Sequence, residues 1–239
     1  MKKILLTILL LTSYINAEIK KTYYEDGSLE SEVEFINGKK NGIENIYVYK
    51  KLMSQTPYKN DKKEGIARHY MFGKYLSARV PYKNNKKEGM SQYYYKDGNL
   101  SSEIPYKNDK IEGIAKYYYE DGKLRIIIPY TNNKREGIVK AYYIDRKLER
   151  ELKFIDDKRE GIAKEYYNNG NLKRTAKYIN GVRQGLEKRF NENGTLESEI
   201  LLKDDEAISG HYYKNNKKIN MNNAYLYNNY NMYAPPYSY

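Results

Sequence analysis

A glycine recurs through this chain at an almost fixed spacing, and this spacing constrains the fold more than any other feature. Successive glycines lie 24 residues apart, except for a first step of 23. They are Gly42, Gly65, Gly89, Gly113, Gly137, Gly161 and Gly185. A leucine keeps the same period from Leu52 to Leu196. A period of roughly 20 to 50 residues is typical of a repeat array, in which neighbouring units stack to complete the core.

Each unit has the pattern of two β-strands. Residues four apart share one face of a strand, so the aliphatic column of Ile114 and the aromatic column of Tyr118 lie on one face. The returning strand repeats this with Leu124 and Ile128, whose columns are mostly aliphatic. Tyrosine and β-branched residues at period two favour strand over helix.

Two turn signals punctuate each unit. The first is Asp-Gly or Asn-Gly, as at Asp121-Gly122, and the second is a pair such as Asn132-Asn133. Both pairs tolerate the positive φ of type I′ hairpin turns. The sequence therefore predicts an all-β fold, an elongated single-layer antiparallel β-meander of about eight 24-residue β-hairpin repeats.

Three hairpin tips depart from the pattern, and one proline column complicates it. The segments Tyr49–Leu52 and Met71–Leu76 and the pair Asp145-Arg146 lack the usual Asp-Gly turn, so less regular tips are expected there. Prolines occupy the column of Pro129, where a missing N–H must not be needed. The sequence leaves open whether this position is a bulge or a strand end.

The first residues resemble a secretory signal peptide. Lys2 and Lys3 precede an apolar run that is too short to span a bilayer, and the small residue Ala17 precedes the charged Glu18. We predict a signal peptide over residues 1–17 and export to the periplasm, the cell surface or the extracellular space. A retained anchor or an amphipathic helix is the alternative.

Composition limits the chemistry and suggests the type of partner. There is no cysteine, hence no disulfide and no thiolate nucleophile. Removal of Lys2 and Lys3 lowers the 43 basic residues to 41 against 31 acidic ones, a net charge of +10. That excess favours anionic lipid or glycan, with nucleic acid the least favoured. Alternatively, the dispersed lysines solubilise the sheet and protect its edges.

Units such as GIAKYYYEDGKL and GIAKEYYNNGNLKRTAKYINGVRQG resemble the variant MORN repeat of bacterial proteins. The resemblance covers about residues 23–213, and tyrosine replaces tryptophan at its aromatic positions. It implies a single-layer sheet of successive hairpins and a role in membrane attachment or protein assembly. Many bacterial members carry the label of an antitoxin in a toxin–antitoxin system, which makes an antitoxin-like role a further alternative.

We find no constellation of residues that predicts catalysis, a cofactor or a metal. His69 and His211 lie far apart in the array, and each is interpreted as a surface residue. The glutamate column of Glu112 has members about 9.6 Å apart in a flat ladder, too far to share one cation. We expect these glutamates to pair with the neighbouring lysine column of Lys110. The chain is therefore predicted to be non-enzymatic.

One set of side chains could form an interaction surface. It comprises Tyr95, Tyr119, Tyr143 and Tyr167 together with Lys116 and Lys140. Tyrosine beside lysine could stack on sugar rings and pair with anions, but tyrosine also simply favours strands.

The repeats are predicted to span residues 18–213, and the Asn- and Tyr-rich segment 214–239 to be a disordered tail. The leading hypothesis is a secreted repeat scaffold for protein–protein interaction or self-association. A surface for anionic lipid or glycan and an antitoxin-like component are the alternatives.

Overall fold

The computed structural model describes residues 16–215, 217–222 and 226. The chain consists of two compact units, and the boundary between them lies between Lys86 and Lys87. Apart from Asn16 and Ala17, the predicted signal peptide lies outside the described residues.

The first unit consists of antiparallel strands that follow one another in chain order. They are β1 (Ala17–Tyr23), β2 (Leu29–Ile36), β3 (Lys39–Lys40), β4 (Gly42–Val48), β5 (Lys51–Lys59), β6 (Lys62–Lys63), β7 (Gly65–Met71) and β8 (Tyr75–Lys83). The two-residue strand β9 (Lys86–Lys87) contains the boundary between the units.

The second unit repeats the same arrangement with more hairpins. Its strands are β10 (Gly89–Tyr94), β11 (Leu100–Lys107), β12 (Lys110–Ile111), β13 (Gly113–Tyr118), β14 (Leu124–Thr131), β15 (Lys134–Arg135), β16 (Gly137–Tyr142), β17 (Leu148–Ile155), β18 (Lys158–Tyr166), β19 (Leu172–Ile179), β20 (Val182–Arg183), β21 (Gly185–Phe190), β22 (Leu196–Lys203), β23 (Glu206–Lys214) and β24 (Lys217–Asn220).

Neighbouring strands within each unit pair antiparallel in a regular register. In the hairpin of β13 and β14, Ala115 lies opposite Ile128 and Ile114 lies opposite Pro129. A register shift follows between Tyr117 and Tyr118, and each hairpin of this type carries the same shift. These pairings confirm the predicted all-β fold of antiparallel hairpin repeats.

The two turn types differ in backbone conformation. Asn132 and Asn133 have φ values of 52° and 70°, as a type I′ turn requires, which confirms the prediction for this turn. In the Asp-Gly turn only Gly122 has positive φ, at 79°, and its N–H donates to the carbonyl of Tyr119 at 2.9 Å. The type I′ prediction was therefore wrong for the Asp-Gly turns, which are type I turns closed by a left-handed glycine.

Two hairpin tips lack the Asp-Gly pair, at Tyr49–Leu52 and Met71–Leu76, and were expected to be less regular. Their turns are instead tighter than the Asp-Gly turns. Strand pairing continues to Val48 and Lys51, so only Tyr49 and Lys50 form the turn. Both have positive φ, at 50° and 60°. Pairing also reaches Met71 and Tyr75 at the next tip, so these ladders run further than in the other repeats.

The sheets bury one face, which we call the inner face, and expose the other, which we call the outer face. In the second unit Ile126, Ile128 and Ala141 form an inner core, packed against Tyr117 and Tyr130 among others. On the outer face Ile114 is 51% exposed. The column of Ile114, assigned in the sequence to the aliphatic face, is thus not the core. Alanine supplies the core column because its small side chain leaves room for larger neighbours to fold over it.

Hydrogen bonds at the second turn join each hairpin to its neighbour. The Oδ1 atom of Asn133 accepts the backbone N–H of Ile111 at 2.6 Å, and Asn133 N–H donates to the carbonyl of Ile111 at 3.0 Å. The same side-chain bond joins Lys40 to Asp61, Lys63 to Asn85, Lys87 to Asp109, Arg135 to Asp157 and Arg183 to Asp205. The turns therefore stack in register along each unit.

The glutamate column stabilises these turns instead of pairing with lysines. Glu112 accepts the backbone N–H of Asn132 at 2.9 Å. Glu64, Glu88, Glu136 and Glu160 do the same for Asn84, Asn108, Asp156 and Asn180. Lys110 donates instead to the side chain of Asn132, at 3.2 Å. The expected glutamate–lysine pairing was wrong because the turn offers backbone N–H groups that need acceptors.

The proline column faces a bulge. Pro129 lies inside β14, and its carbonyl accepts the N–H of Glu136, the residue that separates β15 from β16. N–H and C=O of one residue point the same way in an antiparallel strand, so the missing donor faces this break.

The hairpin pairing extends beyond the predicted array boundary at Tyr213. Strand β24 pairs with β23, with Tyr212 opposite Ile219. Leu226, which has helical backbone conformation, packs with Met221 and Ile200 in a second inner core. The other residues of the predicted tail after Asn222 lie outside the described residues.

Candidate interaction surface

The four tyrosines predicted as an interaction surface form a ladder of hydrogen bonds between neighbouring hairpins. The hydroxyl of Tyr119 donates to the carbonyl of Tyr142 at 2.8 Å. Equivalent bonds join Tyr95 to Tyr118, Tyr143 to Tyr166 and Tyr167 to Phe190. In the first unit Tyr24 donates to the carbonyl of Tyr47 in the same way. These hydroxyls therefore satisfy backbone acceptors of the fold.

The four rings Tyr95, Tyr119, Tyr143 and Tyr167 are partly buried, and this burial changes the pKa values of some of their hydroxyls. Burial raises the pKa of Tyr143 and of Tyr167, with further contributions from nearby glutamates. Cations lie over two of the rings, with Arg125 5.6 Å from the centroid of Tyr119 and Lys173 5.4 Å from that of Tyr167. In Tyr119 and Tyr167 a ring face that could stack on a ligand is thus already in contact with a cation of the chain.

Lys116 lies on the outer face near the middle of β13, and Lys140 lies on the same face near the middle of β16. Both are away from the tyrosine ladder, which lies at the strand ends. Lys116 is opposite Glu103 in one neighbouring strand and Ile127 in the other, and Lys140 is opposite Ile127 and Glu151. Within the described residues neither lysine makes an ion pair, since Tyr118 donates to Glu103 at 2.8 Å and Lys164 pairs with Glu151 at 3.1 Å. The tyrosines and lysines do not converge on one site.

The outer face carries a row of exposed apolar side chains that the sequence interpretation had assigned to the aliphatic face. We call it the outer apolar row. In the second unit it consists of Met90, Pro105, Ile114, Pro129 and Ile138. Met90, Ile114 and Ile138 are 45%, 51% and 51% exposed. The column one residue further on contains the small buried residues Ala67, Ser91 and Ala115 and could have revealed this, because a small buried residue marks the packed face.

The first unit has a matching row and, in addition, an aromatic tip. We define the aromatic tip as Val48, Tyr49, Met71 and Phe72, which line one surface depression. Tyr49 is 90% exposed and Phe72 is 67% exposed. Phe72 has a φ of 54°, and positive φ is strained for an aromatic residue. Exposed aromatic side chains on strained turns are typical of surfaces kept for binding.

A charged network occupies the inner face of the second unit. Glu187, 1% exposed, accepts from Arg174 at 2.7 Å and from Arg189 at 2.9 Å. Arg174 also pairs with Glu165 at 3.0 Å. Burial alone would raise the pKa of Glu187, but the hydrogen bond and charge of Arg174, with those of Arg189, lower it overall. The network therefore keeps Glu187 ionised inside the fold.

Five segments of the chain match the family model described as MORN repeat variant. They are residues 19–37, 87–108, 111–132, 159–180 and 183–204. Each segment coincides with a hairpin or with consecutive strands of the sheets described above.

These five segments are MORN-variant repeats. As a class, MORN repeats suggest a scaffold for protein or membrane interaction.

Other similarities of this MORN-variant chain are weak. No curated protein matches its sequence. Among solved structures it is similar to a porin-like protein from Bacteroides uniformis, with 9% identity over 89% of this chain and 91% of that one and a TM-score of 0.23. It is also similar to a chain of the TcdB2-TccC3 structure, with 11% identity over 86% of this chain, 15% of that one and a TM-score of 0.20. Such scores carry no inference about function.

The MORN-variant repeats bring few metal-ligating groups together. Within residues 16–215 and the short described stretches that follow, no three His, Asp or Glu side chains are placed to hold a metal ion. The same residues contain no helix long and apolar enough to cross a membrane.

Proposed function

We propose that this MORN-variant chain is an exported, non-enzymatic scaffold that binds a second copy of itself or another protein through the outer apolar row. The exposure of Ile114 and Ile138 is the observation that carries the proposal. The MORN-variant family is not an enzyme family, which supports the non-enzymatic part.

The energetics of the row favour association. Full burial of an isoleucine side chain is worth about 1.5 to 3 kcal/mol, so a half-exposed one can still contribute about 1 kcal/mol when a partner covers it. The members of the row repeat along the unit with the period of the hairpins. A partner of the same repeat period would therefore meet one apolar contact per repeat.

The aromatic tip of the first unit supports the same function. Interface energy is concentrated in a few large side chains, with aromatic residues over-represented. Tyr49 and Phe72 are held outward by turns in which their backbone is strained. We propose that they act as anchors for the same class of protein partner.

The test is a double substitution, Ile114→Lys with Ile138→Lys, compared with Ile144→Lys. Ile144 is 56% exposed but lies in a turn outside the row. Sedimentation velocity over a range of concentrations should show reversible self-association of the mature protein, and the double variant should shift it to monomer. The Ile144→Lys variant should associate like the unchanged protein.

Two results together would count against the proposal. The protein would stay monomeric at the highest concentration, and affinity capture from its native envelope would recover no partner protein. Equal association of the double variant and the control would exclude the row as the interface.

Export is tested separately. A fusion of the full chain to a reporter enzyme that is active only outside the cytoplasm should be active. Sequencing of the mature N-terminus should begin at Glu18. An inactive fusion, or a mature protein that retains Met1, would contradict export.

A second candidate is binding to an anionic lipid or glycan. It is favoured because Lys116 and Lys140, which lie opposite Ile127, make no ion pair among the described residues. Binding to vesicles with anionic head groups should weaken steeply as salt rises. The double substitution Lys116→Glu with Lys140→Glu should abolish it. Vesicle binding that does not depend on salt or on these lysines would exclude this candidate.

A further inference from the structure

The inner face of the second unit contains a cavity of about 60 Å³ that the proposed function does not use. Part of its wall is apolar and comes from the three strands β14, β16 and β17, with Ile126, Ile128, Val139, Leu152 and Phe154 among the lining residues. At about 10 to 15 Å³ for each water-sized position, this volume holds roughly four to six such positions. The cavity can therefore admit a small organic molecule.

Four arginines line the same cavity. They are Arg135, Arg150, Arg159 and Arg174. Arg135 is neutralised by Asp157, with 2.8 Å between Nε and Oδ1, and lies 4.2 Å from the ring centroid of Phe154. The cavity thus combines apolar walls with an excess of positive charge.

Arg159 differs from the others because no carboxylate neutralises it. Its guanidinium lies 5.3 Å from the ring centroid of Tyr178. It makes no ion pair within the described part of the chain. A planar guanidinium held over a ring keeps its in-plane N–H groups available for an anion.

Arg174 supplies a second unmet donor. Its terminal nitrogens donate to Glu165 and Glu187, at 3.0 and 2.7 Å. Its Nε atom is buried and has no hydrogen-bond partner. A buried N–H without an acceptor costs free energy, so a ligand that supplies an acceptor gains affinity at this position.

We propose that the cavity binds a small organic anion that carries a short alkyl group. The alkyl group lies against Ile126, Val139 and Leu152. The anionic group, a carboxylate or a phosphate monoester, accepts hydrogen bonds from Arg159 and from Nε of Arg174. This binding is independent of the outer apolar row, which lies on the opposite face of the sheet.

The test is titration of the protein with butyrate and with ethyl phosphate, followed by isothermal calorimetry or by NMR. Butyramide, which has the shape of butyrate without its charge, and inorganic phosphate, which has the charge without the alkyl group, are the comparison ligands. Saturable binding of butyrate or ethyl phosphate, at least about tenfold tighter than that of both comparison ligands, is expected. The stronger of the two identifies the anionic group.

The variant Arg159→Gln should weaken this binding by about tenfold or more, as expected for the loss of a charge-assisted hydrogen bond. Arg125→Gln is the matched control, since Arg125 also lies over a tyrosine ring but is outside the cavity. A second variant, Ala163→Leu, fills the cavity from its wall and should also weaken binding. Urea unfolding midpoints establish that the variants are folded.

The proposal would be overturned if butyrate bound no more tightly than butyramide and ethyl phosphate no more tightly than inorganic phosphate, or if neither ligand bound at all. An Arg159→Gln variant that is folded and binds as tightly as the Arg125→Gln control would also overturn it.

Discussion

The ring of Pro129 lies so close to Gly137 that a Cβ atom on the glycine would stand 3.0 Å from Cγ of the proline. Gly137 also has a φ of +117°, which L-residues rarely adopt. One repeat later lysine replaces the proline, at Lys153, and Gly161 has a φ of 79° with no atom within 4 Å of such a Cβ. In these two repeats the proline goes together with a more extreme glycine conformation in the neighbouring strand.

Replacement of Gly137 should therefore cost more than replacement of Gly161. We expect Gly137→Ala to lower the free energy of unfolding by about 2 to 3 kcal/mol, through backbone strain and contact with Pro129. Gly161→Ala meets strain alone and should lose about 1 kcal/mol. Urea unfolding followed by circular dichroism measures both. Equal losses would show that the proline contact has no energetic effect.

Loss of one rung of the tyrosine ladder should be measurable. Tyr119→Phe removes the hydroxyl that donates to the carbonyl of Tyr142. We expect the free energy of unfolding to fall by about 1 kcal/mol. Tyr49→Phe is the control, because the side chain of Tyr49 is exposed and a substitution there should change stability by less than about 0.5 kcal/mol. The structural assignment of the ladder fails if the two variants are equally stable.

The buried carboxylate of Glu187 predicts a dependence of stability on pH. Its pKa in the folded protein lies below the ordinary value of 4.5. A depressed pKa means that the ionised group stabilises the fold fully above the ordinary value, and that this contribution is lost as the pH falls through the folded-state value.

Glu187→Gln leaves Arg174 and Arg189 without their buried counter-charge and should cost about 3 to 5 kcal/mol at neutral pH. The difference from the unchanged protein should shrink on acidification to about pH 3. Unfolding midpoints at both pH values provide the measurement. Glu197→Gln, at an exposed glutamate of the same unit, should change stability little at either pH. A difference that does not vary with pH would refute the assigned role of the charge.

The aromatic tip should be more stable with a residue that suits its backbone. Tyr49 has a φ of 50°, a conformation that asparagine adopts more easily. Tyr49→Asn should raise the free energy of unfolding by about 0.5 to 1 kcal/mol. The reverse change, Asn60→Tyr, places tyrosine at a turn residue with the same φ and should lower stability by a similar amount. A destabilised Tyr49→Asn variant would mean that the ring of Tyr49 supports the fold.

The features that depend on local backbone preference could be predicted from the sequence. Asn132-Asn133 specifies its turn by itself, because both residues tolerate positive φ. The Asp121-Gly122 pair marks a turn equally well but suits two turn types, and the choice depends on the strand pairing that follows Tyr118.

Features that depend on neighbouring hairpins could not be predicted. The sequence shows Ile114 and Ala115 side by side, and a criterion based on hydrophobicity expects the larger residue to be buried. Ala115 is buried instead because Ile128 and its neighbours fold over it. The hydroxyl of Tyr119 similarly finds its acceptor in the next repeat, which no property of the isolated residue indicates.

The hydrogen bonds of Tyr119 and Asn133 reach only 23 and 22 residues along the chain, and no described hydrogen bond between hairpins reaches further. Deletion or duplication of one 24-residue segment within the array would therefore bring equivalent donors and acceptors together again. The length of such a protein can change in evolution by whole units through recombination between the similar repeats of its gene, and each new length would retain a complete set of bonds.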